Sequence, residues 1–293
     1  LEPLFGPEVL AMSDPPIRAV WITAGNPVSM LPESETVDRA LRSREFVCVV
    51  DSWPTDTTRA ATLVLPTTTL LEDDDLLGAY GNHWVGTSQP VVPPPPGVRS
   101  DLQILQELSA RLGMDGVLAG TAREWKERIL RKDAGFTVAQ LESEGPQRSA
   151  LSPKVLFADR KFPTKTGRVN LVTSAPARSQ VSAEYPLYLM ALSTEKSQNS
   201  QWSKGQPAGP AVVTVHPDAA GGIPDGSLAT LESALGRLPV QVRHDPRQRR
   251  DVALLAKGGH LREGRNANVL AKARATDLGG GGALYDEPVR LRA

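Results

Sequence analysis

The sequence has 293 residues, room for two domains of ordinary size, and 40% of them are hydrophobic, enough for a core. Basic and acidic residues balance at 33 each, so charge gives no case for nucleic acid or an anionic membrane surface as partner. The single cysteine, Cys48, excludes an internal disulfide framework and any multi-cysteine metal or iron–sulfur site within this sequence. No apolar run approaches the roughly 20 residues that span a bilayer. The opening Leu1-Glu2-Pro3-Leu4-Phe5 has no basic stretch followed by an apolar one and does not read as a secretory leader. It also lacks an initiator methionine, so the compartment is not legible from it.

In chain order, Ile17 to Gly25 reads as a buried strand ending in a Gly25-Asn26-Pro27 turn. Glu33 to Arg42 reads as a helix with Val37, Ala40 and Leu41 on one face. Glu45 to Asp51 is a second strand, in which Cys48 reads as a buried cysteine rather than a catalytic thiol. Thr55-Asp56-Thr57-Thr58 opens a helical turn before a third strand, Thr62 to Leu65. Strands alternating with helices predict parallel pairing in an α/β layer, and ligands of such sheets bind beyond the carboxyl ends of the strands. Gly25, Asn26 and Asp51 fall at those ends.

Glu72-Asp73-Asp74-Asp75 is a run of four acids, better read as a solvated loop or helix start than as a metal site. Gly78 to Pro96 is irregular and ends in four prolines, an extended polyproline segment. Ser100-Asp101 caps a helix that runs to Arg111, with Ile104, Leu105, Leu108 and Leu112 as its apolar stripe and Gly113 at its end. Thr121 to Arg131 reads as a peripheral amphipathic helix. Residues 133–184 have weak periodicity and read as a connector, with a turn at Thr164 to Arg168 leading into a short strand, Val169 to Val172. From Tyr185 the character changes. Short apolar runs at Leu187 to Leu192, Ala211 to Val215, Ser227 to Glu232, Arg237 to Val242, Val252 to Ala256 and Val289 to Leu291, separated by turns, predict a small β-barrel. The expected organisation is an α/β domain over 1–132, a connector over 133–184 and a barrel over 185–293.

The succession Gly25-Asn26-Pro27, Asp51, Thr55-x-Thr57, Leu63-Val64-Leu65-Pro66, Glu72 and Ser100-Asp101-Leu102-x-Ile104 resembles the later part of the third domain of the molybdopterin oxidoreductases. Thr164-Lys165-Thr166-Gly167-Arg168-Val169-x-Leu171 is similar to that family's linker. Tyr185-Pro186-Leu187, Ser193-Thr194-x-Lys196, His216-Pro217-Asp218-Ala219-Ala220, Ile223-Pro224-Asp225-Gly226, Asn268 and Thr276-Asp277 resemble its C-terminal dinucleotide-binding domain. Their ordered succession carries the resemblance, since no single motif among them is decisive. It implies a partial parallel α/β sheet domain followed by a six-stranded double-psi β-barrel. It also implies the C-terminal half of a larger enzyme of the dimethyl sulfoxide reductase-like group. Such enzymes carry molybdenum or tungsten on two molybdopterin guanine dinucleotides and perform two-electron chemistry, as in formate dehydrogenases and nitrate reductases. The iron–sulfur motif and the residue that ligates the metal would belong to an N-terminal remainder of the enzyme, and an iron–sulfur electron-transfer subunit is an implied partner.

The resemblance assigns roles. A carboxylate accepts N1–H and N2–H of guanine together, which makes Asp51 the first candidate for the base. Asn26 is placed to contact the same nucleotide, on a turn fixed by Pro27 beside Gly25. Thr55 and Thr57 offer hydroxyls to ribose or phosphate. Asp101 fits both a helix cap and a contact to guanine or pterin. Ser193, Thr194 and Lys196 suit a pyrophosphate, Ser200 stands where some members have His, and Asn268 matches an Asn near a pterin or caps a turn. There are departures. Lys196 stands where Arg is usual. The stretch Leu77 to Val85 keeps Asn82 but lacks the family's Glu and Arg, leaving His83 in an unassigned position. Two other classes stay open: a cofactor-less structural or electron-transfer subunit similar to the large iron–sulfur subunit of respiratory complex I, and a nucleotide-binding module without metal.

Overall fold

A computed structural model describes residues 2–130, 134–149, 151–173, 180–195, 200–201, 209–276 and 279–293. The chain forms two compact units, Leu1–Val64 with Pro176–Ala293, and Leu65–Ala175.

The first unit begins with helix α1 (Phe5–Ala11), which the sequence reading did not anticipate, and strand β1 (Ala19–Thr23). A four-residue helix, α2 (Pro27–Met30), follows at once. Pro27 suits its first position because the missing N–H needs no partner there. Helix α3 (Ser34–Arg42) buries Val37, Ala40 and Leu41, the face its spacing predicts. Strand β2 (Phe46–Asp51) runs parallel to β1 in the register Ala19 with Phe46 to Thr23 with Val50. Val47 to Val50 are buried on both faces, as expected of a strand covered on two sides. Helix α4 (Asp56–Ala60) is opened by a reciprocal cap between Thr55 and Thr58, and β3 (Leu63–Pro66) lies beside β2. Val28, Leu31, Val37, Leu41, Val47, Val49 and Ala60 form one core cluster.

In the second unit, β4 (Leu76–Gly78), β5 (Trp84–Thr87) and β6 (Gln147–Arg148) make a three-stranded antiparallel sheet, where the sequence reads as irregular. Helix α5 (Asp101–Arg111) starts at the Ser100 cap, followed by α6 (Ala122–Ile129) and α7 (Val138–Glu144). Val169 to Val172 form no strand. That stretch is exposed, and among the described residues no strand pairs with it to take up its backbone groups.

The six apolar runs of the C-terminal third become β7 (Leu187–Leu192), β8 (Ala211–Val215), β9 (Leu228–Ser233), β10 (Arg237–His244), β11 (Val252–Ala256) and β12 (Glu287–Arg292). They close into a barrel in the order β10-β8-β11-β7-β12-β9. β7 with β11 and β8 with β10 pair in parallel, and the remaining neighbours are antiparallel. Alternating burial along β9 and β10 sends Leu231, Leu238, Val240 and Val242 inward, and closure leaves no strand edge unpaired. Among the described residues no helix is long and apolar enough to cross a membrane.

Candidate functional site

The carboxyl ends of β1 and β2 bring three loops of the first unit together. β1 leaves its sheet through Ala24, whose φ of +54° lies in the left-handed region. An alanine there is held against its preference by about 1 kcal/mol or more, and such strain gathers at ligand loops. Gly25 itself has no positive φ, and a Cβ on it would meet only the Thr23 carbonyl at 3.8 Å.

Asn26, 4% exposed, is the centre of the arrangement. Its Oδ1 accepts from the Thr57 hydroxyl at 2.6 Å and from the Thr57 N–H at 3.3 Å. Thr57 Oγ1 in turn accepts the Val28 N–H at 3.1 Å. A hydroxyl has one proton to donate, so the fully buried Thr57 orients Asn26. These two donors fix which end of the amide is oxygen. Asn26 Nδ2 is then left buried with no hydrogen-bond partner. Burying such a donor unsatisfied costs about 1–3 kcal/mol.

Asp51 ends β2, half-buried, and its Oδ1 accepts the Trp53 N–H at 3.0 Å. Thr55 Oγ1 caps α4 by accepting the Thr58 N–H at 3.2 Å and stands 3.5 Å from Asp51 Oδ2. Asp51, Thr55, Thr57 and Asn26 are therefore neighbours, as the sequence suggests.

A second group, of which the sequence predicts only Asn268 as a site residue, joins this loop to the barrel. Ser29 donates from its hydroxyl to Asp56 Oδ2 at 3.0 Å. The same buried carboxylate accepts the N–H groups of Leu261 at 2.7 Å and Arg262 at 3.3 Å. Asn266 Nδ2 donates to the carbonyls of Val28 and Ser29, both at 3.3 Å. Asn268, buried, donates from Nδ2 to the Ser29 carbonyl at 3.0 Å, while its N–H reaches Asn266 Oδ1 at 2.9 Å. Buried His260 has its Nδ1 3.7 Å from Asp56 Oδ2, beyond hydrogen-bond range, and without a partner. A signal for this seam in the sequence is the run Arg265-Asn266-Ala267-Asn268 leading directly into apolar Val269-Leu270-Ala271.

The remaining predicted positions fall on other elements. Ser193 and Thr194 are exposed just beyond β7, and Ser200 is half-buried. Lys196 lies outside the described residues. Asp101 belongs to the second unit, at the first turn of α5, where its Oδ2 accepts the Thr67 hydroxyl at 2.7 Å and Ser100 supplies the cap. Among the described residues no cluster of three or more His, Cys, Asp or Glu could hold a metal ion.

Residues 5–111 match the family model of the molybdopterin oxidoreductase, and residues 188–287 match that of the molydopterin dinucleotide binding domain. The chain is similar to the "Probable oxidoreductase YyaE" of Bacillus subtilis, 25% identical over 97% of this chain and 46% of that protein. A nitrate reductase of Synechocystis is 28% identical over 61% of this chain and 28% of its own length. The acetylene hydratase from Pelobacter acetylenicus shares the fold, with a TM-score of 0.73 at 20% identity over 99% of this chain and 46% of that one. The chain thus spans less than half the length of these relatives. With both models matched in order along a sheet and a barrel of the expected kinds, the chain belongs to the molybdopterin oxidoreductases.

Proposed function

We propose that this chain is the C-terminal portion of a molybdopterin-dependent oxidoreductase and binds molybdopterin guanine dinucleotide. The observation that carries the reading is the buried, unpartnered Nδ2 of Asn26, held at the carboxyl end of β1 beside Asp51 at the carboxyl end of β2. Its orientation is set by two donors from Thr57, so its remaining donor suits an acceptor brought by a ligand. A carboxylate such as that of Asp51 can accept the N1–H and N2–H of guanine together. Both residues sit where ligands of parallel sheets bind.

When bound, the cofactor supplies two-electron redox chemistry at molybdenum or tungsten, and the protein contributes binding, orientation and electrostatics. In this reading Asp51 reads the base, Asn26 and Thr55 contact the nucleotide, and Ser193, Thr194 and Lys196 take a pyrophosphate. Asp101, Ser200 and Asn268 complete the family-matched set. Two such cofactors serve the complete enzyme, whose metal ligand and iron–sulfur cluster belong to an N-terminal remainder, with an electron-transfer subunit as a further partner.

The test is metal analysis by mass spectrometry on the full-length parent protein from a cofactor-competent host, with release and identification of the pterin nucleotide. Molybdenum or tungsten with about two guanine dinucleotides per chain supports the reading. A well-folded protein free of metal and pterin sinks it in favour of a scaffold subunit.

A further inference from the structure

Trp53 is 70% exposed and takes no part in either core cluster. Leaving so large an aromatic surface in water forgoes about 2 kcal/mol of burial. The indole is nevertheless presented on a short loop held at both ends. On one side, the Trp53 N–H is fixed on Asp51 Oδ1 at 3.0 Å. On the other, Thr55 and Thr58 form the reciprocal cap that starts α4. Between them, the Pro54 carbonyl accepts from Arg262 Nη1 at 3.4 Å, and Asp56 is anchored on the N–H groups of Leu261 and Arg262. A loop so restrained fixes the backbone from which the indole projects, two residues from the Asp51 carboxylate.

We infer that Trp53 is the stacking platform for the purine base that Asp51 reads. The inference rests on the guanine-nucleotide reading above and adds a residue to it. An aromatic face binds any base through its π-surface, worth about 1–3 kcal/mol. A carboxylate beside it selects a base that presents two adjacent N–H donors. Flat apolar surface gives affinity, the carboxylate gives choice, and the anchored loop lowers the ordering entropy lost on binding.

The experiment uses the 293-residue chain with guanosine diphosphate as the probe, followed by titration calorimetry and tryptophan fluorescence. Addition of the probe should quench wild-type emission. Trp53→Ala should weaken the probe by about fivefold or more, and Trp53→Phe should stay within about twofold of wild type while losing the quench. Far-ultraviolet circular dichroism checks that both variants fold. Trp53→Ala binding the probe as tightly as wild type, with Asp51→Ala defective, overturns the stacking role and leaves the base site standing. A folded wild-type chain that does not bind the probe overturns both.

Discussion

The Asp56 carboxylate accepts the Leu261 N–H at 2.7 Å across 205 residues of sequence. One buried side chain thus joins the start of α4 to the short helical turn Leu261–Glu263 that follows β11. Because Ser29 and Arg262 also donate to it, Asp56 holds the Asn26 to Ser29 loop in place as well as the barrel segment.

Asp56→Ala would leave three donors facing one another without an acceptor. Hydrogen bonds to a buried charged group contribute about 1.5–3 kcal/mol each, not fully additive, so a loss of about 3 kcal/mol or more is expected. Asp56→Asn keeps the volume and one acceptor oxygen and should lose less. Urea denaturation of the three proteins checks the order; a loss below about 1 kcal/mol for the alanine variant would show that water replaces the carboxylate.

How far the sequence reaches is clear from where its reading fails. The six barrel strands are legible within a residue or two of their ends, because each contains a short apolar run bounded by turn residues. The β4-β5-β6 sheet is not. Its strands have two to four residues, too few for a period, and Val85 pairs with Gln147 far along the chain. The strand-end positions of Asp51 and Asn26 are legible locally, from the apolar runs that precede them. Asp56, Ser29, His260 and Asn266 were missed because their meaning depends on contacts between segments more than 200 residues apart. For Asn268 the family resemblance implies a pterin contact, while the structure shows its amide donating to the Ser29 carbonyl.

The acidic run of the second unit is similarly committed to structure. Lys126, only 3% exposed, pairs with Asp74 and donates to the Thr87 hydroxyl at 2.8 Å, while Asp73 Oδ2 accepts from Thr68 at 3.0 Å. Removing one partner of a buried pair leaves the other charge uncompensated, at about 3–5 kcal/mol. Asp74→Ala strands the buried ammonium with Glu142 Oε1 no nearer than 3.9 Å. Lys126→Met leaves Asp74, 29% exposed, able to turn to water. Asp74→Ala should therefore destabilise more than Lys126→Met. Equal losses in thermal or urea unfolding would contradict this picture of the pair.

Cys48 lies in the fully buried run of β2, and burial pushes its thiol up from the ordinary range. Little thiolate is present at neutral pH, and reagents reach it only when the strand opens. A disulfide reagent should leave the folded chain unmodified and label one thiol in urea. Labelling should accelerate along the denaturant series in parallel with unfolding. Rapid labelling of the native chain at pH 7 would place Cys48 in an accessible loop instead.

The barrel closes where β12 meets β9, and Arg290 faces Glu232 across that junction with Nε to Oε2 at 2.9 Å. The hydrogen bond from Arg290 holds the Glu232 carboxyl below its ordinary value, against the opposing effect of burial, with help from the charges of Arg292, Arg290 and Arg237. A carboxyl whose folded value is lowered binds fewer protons folded than unfolded. Its stabilisation is therefore complete above the unfolded value, about 4.3, and is lost as pH falls through the lower folded value. Glu232→Gln removes the charge and keeps the shape. The variant should melt below wild type at pH 7, and the gap should narrow as pH falls below 4, because the protonated wild-type side chain then resembles glutamine. Melting curves from pH 7 to 2.5 decide it: a gap that stays constant or widens in acid would mean that the pair does not tie barrel closure to pH.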